Sequence, residues 1–341
     1  MWVADSLLGF KEISNMRANA IRIHKNGPPS VLKWEEIDVA NPKPDQVLVR
    51  HTAVGFNFAD TYFRNGLYKV AGFPAVIGIE GAGVIEAVGK RVKGFKPGDR
   101  VAFSGGGAGT YAEASVRGAE ELIKLPGWLD DKTAAAALTK GCTVQYLFNE
   151  VHKIKRGETI LFHAAAGGVG LIASQWAKAV GARLIGTAST PEKVRLAKRN
   201  GAAHVINSSK QDIAKEIKRL TNGQGVDLVY DSVGHDHWDA SLASVRKYGL
   251  ICLFGSASGK APPMDFWEVG AKTASYFLRA KAANYLYDAE TRRKSARHLF
   301  RMLKSGAVKI KIGQTYDLKD AAKAHRDAEG RKTTGSTILL P

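Results

Sequence analysis

The stretch that most constrains the fold is residues 157–178, GETILFHAAAGGVGLIASQWAK, which joins an apolar β-type segment to a glycine turn and an amphipathic helix. Ala165, Gly167 and Gly170 take the three small-residue positions of the G-x-G-x-x-G pattern, with alanine in place of the first glycine. The first small residue allows a tight strand-to-helix turn, the second lets backbone approach a pyrophosphate, and the third lets the helix pack on the sheet. Because the helix N-terminus also offers unpaired N–H groups to phosphates, the stretch predicts a dinucleotide site rather than a purely structural turn.

From about Thr143 onward, short apolar segments alternate with helical patterns. The predicted strands are TILFH, RLIGT, HVI, DLVYD, LICLF and ASYFL, with helical patterns such as PEKVRLAKRNG and SKQDIAKEIKRLTNG between them. This alternation is typical of a doubly wound parallel sheet with helices on both faces. We therefore predict an α/β Rossmann domain over residues 143–280.

Residues 1–142 follow a different rhythm, with short β-branched runs separated by Gly and Pro turns. RANAIRIH, QVLVRHTAVG and GDRVAF are examples of these runs. Runs of this kind indicate a partly open antiparallel β-barrel. Residues 1–15 form a short extension that fits neither a signal peptide nor a mitochondrial presequence.

Composition narrows the class of protein. A length of 341 residues suits two domains, and no apolar run approaches the length needed to cross a bilayer. Cys142 and Cys252 cannot form a disulfide framework, which favours a reducing, cytoplasmic location. The net charge of +18 is concentrated in part at residues 279–311, where ten Lys or Arg stand against Asp288 and Glu290. We interpret this segment as a solvated basic face, with non-specific binding of a polyanion such as RNA as the alternative.

The glycine stretch resembles the signature of the quinone oxidoreductase (zeta-crystallin-like) branch of the zinc-independent medium-chain dehydrogenases/reductases. Every place of that signature is filled, by Gly157, Glu158, Leu161, Ala165, Ala166, Gly167, Gly168, Gly170, Gln175 and Lys178. The resemblance runs from about residue 17 to residue 341 and includes VGFNFADTYFRNGLY, GIEGAGVIEAVG, VYDSVG, FGSASG and GSTILLP. It implies that residues 1–142 form a GroES-like catalytic domain and that residues 281–341 return to it.

The cofactor is predicted from the end of the second Rossmann strand. NAD enzymes place an acid there on the ribose 2′-hydroxyl, whereas RLIGTASTPEKVR has hydroxyls followed by Lys193. Hydroxyls and an ammonium suit a 2′-phosphate, and Glu192, which opposes this, also fits ordinary helix capping. The resemblance implies that Ser189 and Lys193 contact the phosphate. Ser208 stands where the family often has Tyr. We predict NADPH.

The resemblance also implies a wider set of cofactor contacts. These are Asn57, Tyr62, Tyr146, Ala165, Gly167, Gly168, Val169, Gly170, Ser208, Ser232, Phe254, Gly255, Ser256, Phe277 and Arg331. Core packing is the alternative role for Tyr146 and Phe254. Around Phe277 the family's T-R-P run is replaced by LRAKA, which departs from the expected contacts.

No metal is expected. Zinc-dependent relatives carry Cys at the start of the catalytic loop, a G-H-E motif and a cluster of four cysteines. Here Asn57 begins the loop, Ile79 replaces the His of the motif before Glu80, and no cysteine cluster exists. The His235 and His237 pair is loosely metal-like, but two ligands alone make a poor site.

Without a Lewis acid, hydride transfer needs an acceptor that is already electron-poor, such as a quinone or an activated enone. The protein's task is then to position the acceptor and donate hydrogen bonds to the developing oxyanion. We predict Asn57, Tyr62 and Tyr68 as the donors, with Asp60 orienting its neighbours. The leading prediction is an NADPH-dependent quinone reductase. The alternatives are a 2-alkenal or enone reductase and a polyanion-binding protein with secondary activity.

Assembly is predicted from the last strand of the cofactor domain, ASYFL. An edge strand leaves unpaired N–H and C=O groups, and pairing with the same edge of a second subunit covers them. The resemblance implies dimers built in this way, or tetramers from two dimers. The alternative is a monomer whose edge is protected by Pro262 and Pro263.

Overall fold

The computed structural model describes residues 16–341, so the predicted extension over residues 1–15 lies outside the described part. The strands are β1 (Met16–Ile23), β2 (Lys33–Val39), β3 (Gln46–Phe56), β4 (Ala75–Val76), β5 (Glu80–Val88), β6 (Arg100–Ser104), β7 (Ala114–Gly118), β8 (Leu122–Lys124), β9 (Thr159–Phe162), β10 (Arg183–Ala188), β11 (His204–Asn207), β12 (Val226–Asp231), β13 (Val245–Leu253), β14 (Tyr276–Arg279), β15 (Ile312–Asp317) and β16 (Ser336–Leu340). The helices are α1 (Phe58–Asn65), α2 (Asp131–Tyr146), α3 (Gly168–Val180), α4 (Pro191–Arg199), α5 (Ile213–Leu220), α6 (Trp238–Ser244), α7 (Phe266–Thr273), α8 (Ala289–Lys304) and α9 (Ala321–Glu329). Short helical turns lie at Pro29–Val31, Ala119–Glu121, Leu147–Val151, His235–His237, Ala282–Asn284 and Leu318–Asp320.

A six-stranded parallel sheet forms the Rossmann part, in the order β11-β10-β9-β12-β13-β14. Each predicted strand from TILFH to ASYFL lies in it, which confirms the doubly wound α/β class. The central strands read as continuous apolar runs because both of their faces are covered. On β9, for example, Ile160 belongs to the core on one face and Leu161 to the core on the other.

The GroES-like part is a seven-stranded sheet in which β15 and β16 join strands from the N-terminal segment. Its order is β15-β16-β3-β5-β6-β8, with β7 also paired to β3. Strand β16 runs antiparallel to β3, with Ile338 opposite Gly55. The last segment of the chain therefore returns to the first sheet, as the resemblance implies. A smaller sheet, β2-β1-β4, completes this part.

Helix α2 joins the two parts and carries the residues that matter most below. Asp130 caps its N-terminus by accepting a hydrogen bond from the Thr133 amide, and the helix continues past the predicted boundary between residues 142 and 143. Four consecutive alanines, 134–137, are fully buried and let the helix pack closely against the strands. That boundary thus falls inside one rigid element shared by both parts. No helix in the described part of the chain is long and apolar enough to span a membrane.

Candidate active site

A cleft of about 810 Å³ lies between the two parts, at the carboxyl ends of the parallel strands. Ligands of doubly wound sheets bind at this edge. Most residues predicted from the sequence line it, namely Asn57, Tyr62, Tyr68, Tyr146, Gly167, Gly168, Val169, Gly170, Ser189, Lys193, Ser208, Ser232, Phe254, Gly255 and Arg331. The fold therefore brings together side chains that are almost 300 residues apart in the chain.

Three predicted contact residues do not line this cleft. Ala165 is fully buried beneath the glycine turn, where its amide donates to the Thr187 carbonyl at 2.9 Å. Ser256 lines a neighbouring groove instead. The prediction that Phe277 contacts the cofactor is wrong. Its ring packs against Trp238, with 6.3 Å between the ring centroids, in the core on the far face of the sheet. Successive residues of a strand point to opposite faces, and it is Leu278 that faces the core on the cleft side.

The glycine turn has the geometry that a pyrophosphate needs. Helix α3 begins directly after Gly167, and its first three residues, Gly168 to Gly170, line the cleft. The first N–H groups of a helix have no partner within the helix, so they are free for an anion. A Cβ on Gly170 would lie 2.5 Å from the Ala165 Cα, closer than real side chains approach backbone. The close approach of helix and turn therefore depends on glycine here.

The far end of the cleft carries positive charge. Lys193 donates from Nζ to the Arg331 carbonyl at 2.5 Å, and Ser189 and Ser208 line the same region. Burial, and then the nearby Arg331 charge, lower the pKa of Lys193. The Arg331 guanidinium itself donates to Asp236 Oδ2 at 3.3 Å, and a dianionic group bound in this region is attracted by both cations. This donor set fits the 2′-phosphate of NADPH.

At the opposite end of the cleft, three buried polar side chains contact one another. Lys140 donates from Nζ to Asn57 Oδ1 at 3.0 Å and to Glu80 Oε2 at 3.1 Å. Asn57 Nδ2 in turn donates to Glu80 Oε2 at 2.8 Å, and the Thr139 amide donates to Glu80 Oε1 at 2.7 Å. Gly55 makes room for this cluster, since a Cβ there would collide with the Glu80 carboxylate and the Ala135 carbonyl.

The sequence interpretation did not single out Lys140, and it noted Glu80 only as part of an altered motif. The sequence feature that could have identified Lys140 is its position as the first residue of the KGCTVQY run. A lysine on a helix of apolar residues reads as solvent-exposed unless its partner is known. Here Asn57 and Glu80 stand where zinc-dependent relatives carry a ligand and the motif acid, and an ammonium lies between them.

A second buried network supports the loop that carries Asn57. Asp60 Oδ2 accepts hydrogen bonds from the Asn57 amide at 2.8 Å and from the Tyr111 hydroxyl at 3.0 Å. Burial raises the pKa of Asp60 to about 7. His325 Nε2 lies 3.1 Å from the Tyr111 hydroxyl, and its Nδ1 accepts from Arg64 at 3.0 Å. This chain of contacts holds Asp60 against the Asn57 amide, and its orienting role stays a prediction.

Two tyrosines line the cleft beside this loop. Tyr62 Oη accepts from the Ser256 amide at 2.8 Å, and its ring meets that of Tyr68 edge-on at 5.2 Å between centroids. Burial raises the pKa of Tyr62 to about 12, so the phenol keeps its proton and remains a donor at neutral pH. Tyr146 also borders the cleft while its ring stacks on Tyr285 at 4.8 Å. Packing and cleft lining are therefore both roles of Tyr146.

A histidine pair lies at the end of β9. His163 is fully buried, with Nε2 3.0 Å from the Ser241 hydroxyl and Nδ1 3.1 Å from His237 Nδ1. Burial lowers the pKa of His163 to about 4. His163 is thus a buried, neutral imidazole, and both His163 and His237 border the cleft. Among the described residues, no group of three His, Cys, Asp or Glu is placed to hold a metal ion.

Comparison with known proteins agrees with this geometry. A family model described as "Alcohol dehydrogenase GroES-like domain" matches residues 43–155, and one described as "Zinc-binding dehydrogenase" matches residues 168–286. A quinone oxidoreductase of Pseudomonas aeruginosa is 45% identical over 95% of this chain and 100% of its own length. The chain belongs to the quinone oxidoreductase branch of the medium-chain dehydrogenases/reductases. The family model described as a zinc-binding dehydrogenase matches only the Rossmann part, residues 168–286. Asn57 and Ile79, which stand in place of zinc-site residues of zinc-dependent relatives, lie outside this match.

Two further relatives bear on cofactor and acceptor. The structure of an Escherichia coli quinone oxidoreductase complexed with NADPH superposes with a TM-score of 0.93 at 40% identity, covering 95% of this chain and 100% of that one. A 2-haloacrylate reductase of a Burkholderia species is 41% identical over 94% of this chain and 98% of its own length.

Proposed function

We propose that this protein is an NADPH-dependent quinone reductase that works without a metal. The observation that carries the proposal is a single cleft with a phosphate-binding turn and paired cations at one end and hydrogen-bond donors among aromatic rings at the other. Phe58, Tyr62 and Tyr68 border the acceptor end, which suits a flat, electron-poor ring. The relatives named as quinone oxidoreductases support the same acceptor class.

The chemistry divides between cofactor and protein. NADPH, when bound, supplies the hydride. The glycine turn and the N-terminus of α3 hold its pyrophosphate, while Ser189, Lys193 and Arg331 hold the 2′-phosphate. The aromatic side chains orient the acceptor and exclude water. Buried donors beside Asn57 stabilise the negative charge that develops on the acceptor oxygen.

A steady-state panel tests this function. NADPH and NADH are each assayed with a quinone and with a 2-alkenal. A primary alcohol is assayed with the oxidised cofactors, NADP⁺ and NAD⁺. We expect turnover with NADPH and quinone and none with alcohol. The 2-haloacrylate reductase among the relatives favours activated alkenes as a second acceptor class. Faster turnover of the 2-alkenal than of every quinone would transfer the function to alkene reduction.

We expect Lys193→Ala to weaken NADPH binding by about 10- to 100-fold and to leave NADH binding unchanged, because one charge-assisted contact to the 2′-phosphate is lost. Cofactor fluorescence titration gives both dissociation constants. Lys198→Ala, on the exposed side of the same helix, is the matched control. Equal weakening of both cofactors by Lys193→Ala would contradict the assignment.

We further propose a homodimer that pairs through β14. This strand ends the parallel sheet, and Tyr276 on it and Trp267 on the preceding helix are 66% and 91% exposed. We expect light scattering to give twice the mass of one chain, and Tyr276→Lys to lower it by charging the edge. Tyr287→Lys is the control, because that tyrosine is equally exposed. A wild-type protein of single-chain mass at micromolar concentration would refute the dimer.

Location and charge complete the proposal. Cys142 and Cys252 are both buried free thiols, which suits a cytoplasmic enzyme in a reducing compartment.

Helix α8 carries much of the basic segment, with ion pairs from Arg297 to Glu290 and from Lys294 to Glu150. Weak, salt-sensitive polyanion binding by this helix stays a prediction.

A further inference from the structure

We propose that the Lys140 ammonium is a catalytic group, which donates a hydrogen bond to the acceptor oxygen as negative charge develops there. The inference rests on the proposed function, and it names the residue that takes over the electrostatic task of the metal in zinc-dependent relatives. Lys140 borders the cleft together with Asn57, although only 6% of its surface is exposed. A nearly buried cation at the edge of a substrate cleft is costly to maintain, so its position calls for an explanation.

The hydrogen bonds of Lys140 leave one donor for a ligand. An ammonium has three N–H groups, and two of them are directed to Asn57 Oδ1 and Glu80 Oε2. Its aliphatic stem packs near Gly168 of the phosphate-binding turn, where a Cβ would lie 2.7 Å from the lysine Cδ. The stem is thus confined between α2 and the cofactor turn. Among the residues that the structure describes, none accepts from the third N–H, which can therefore serve the cleft.

The same geometry changes the role predicted for Asn57. Its Nδ2 already donates to Glu80 Oε2 and lies 3.4 Å from the Gly55 carbonyl, and its Oδ1 accepts from Lys140. Both ends of the amide are therefore engaged within the protein. We infer that Asn57 is a positioning residue that aims Lys140, and that Lys140 supplies the hydrogen bond first expected from Asn57.

Glu80 binds the Lys140 ammonium through only one of its N–H groups. Its carboxylate accepts from Lys140, Asn57 and the Thr139 amide, so its charge is distributed over three contacts. When hydride reaches an acceptor carbon, the electron pair of the carbonyl moves onto oxygen. The Lys140 N–H stabilises that oxyanion in a site with little water, where fixed donors act most strongly. A proton from solvent then joins that oxygen. For a quinone, loss of a proton from the ring carbon and uptake of a solvent proton by the second oxygen complete the hydroquinone, and Lys140 keeps its own proton.

The test uses a variant in which the buried pair is neutral. Lys140→Met combined with Glu80→Gln removes both charges. Lys140→Met alone would leave the buried Glu80 carboxylate unpaired, which endangers folding. Lys132→Met, at an exposed position of the same helix, is the matched control. Circular dichroism and the NADPH dissociation constant show whether the double variant is folded and binds cofactor.

The decisive readout is spectroscopic. 4-Nitrophenol changes its absorbance when it ionises, and the resulting phenolate resembles the anion of a reduced quinone. We expect saturating wild-type protein with NADP⁺ to lower the pKa of the bound phenol by at least about one unit relative to the double variant, because an adjacent cation favours the anion. We also expect kcat for quinone reduction to fall by about 10²- to 10³-fold in that variant, with NADPH binding unchanged.

The outcomes separate this inference from the proposed function. If wild-type protein lowers the phenol pKa relative to the double variant but reduces no quinone, Lys140 is confirmed as an anion-binding donor and the proposed function fails. If wild-type protein reduces quinones, but the folded double variant keeps both kcat and the phenol shift, Lys140 is merely structural and the inference is overturned. Absence of any phenol shift in the wild-type protein would also overturn it.

Discussion

The free energy of unfolding should fall steeply as the pH is lowered from about 6.5 towards 4, because the folded protein buries neutral histidines. Burial lowers the pKa of His51 and of His325 to about 3 and that of His163 to about 4. In the unfolded chain these groups titrate near 6.5, so between these values the unfolded state binds more protons than the folded state. Stability is therefore fully present above pH 6.5 and is lost as the pH falls.

Asp60 acts in the opposite direction over the same range. Because burial raises its pKa to about 7, the folded state takes up this proton before the unfolded state does. Taken alone, these three histidines and this carboxyl give a net uptake of about two protons on unfolding, or about 3 kcal/mol per pH unit. The lowered pKa values of His204, His237 and His298 add to this uptake, and the raised pKa of Glu121 opposes it. Urea titrations followed by tryptophan fluorescence between pH 7 and 4.5 measure this slope.

Variants identify the groups responsible for the acid sensitivity. His51→Gln should reduce the slope by about one proton, or about 1.4 kcal/mol per pH unit, whatever its effect on stability at pH 7. A wild-type protein whose stability is flat over this range would show that the buried histidines are not the source.

Gly170→Ala should lower NADPH affinity by at least about tenfold and destabilise the fold by about 1–3 kcal/mol. A Cβ at this position would meet the Ala165 Cα at 2.5 Å and the Ala164 carbonyl oxygen at 2.6 Å. Both are backbone atoms of the turn beneath the phosphate site, so they cannot rotate away. The helix and turn must separate, which moves the N–H groups that hold the pyrophosphate.

The matched control is Gly127→Ala. Gly127 is exposed, has no atom within 4 Å of the added Cβ, and does not adopt a left-handed φ. Its substitution should change stability by less than about 0.5 kcal/mol and leave cofactor binding intact. If Gly170→Ala behaved like this control, the turn could not have the tight packing described here.

The fold was predictable because its signals are local. The glycine stretch identifies β9, the turn and α3 from spacing alone, and the alternation of segments identifies the parallel sheet. The absence of an acid at the end of β10 itself likewise points to Lys193, which the structure brings beside Arg331. These inferences depend on residues close together in the sequence and on one strand-to-helix unit.

The parts that could not be predicted depend on orientation and on distant partners. Phe277 and Leu278 are adjacent, yet the sequence alone does not decide which one faces the cleft. Lys140 becomes recognisable only when Glu80 and Asn57, 60 and 83 residues away, are placed beside it. A buried ion pair leaves no periodic pattern in the sequence, because its partners are far apart in the chain and meet only in the folded protein.

The most direct test of the central claim is to measure metal content and turnover on one sample. Protein treated with a strong chelator and then desalted is analysed for zinc and assayed for quinone-dependent NADPH oxidation. We predict full activity with far less than one zinc per chain. Activity that disappears with the metal and returns when zinc is restored would contradict the account.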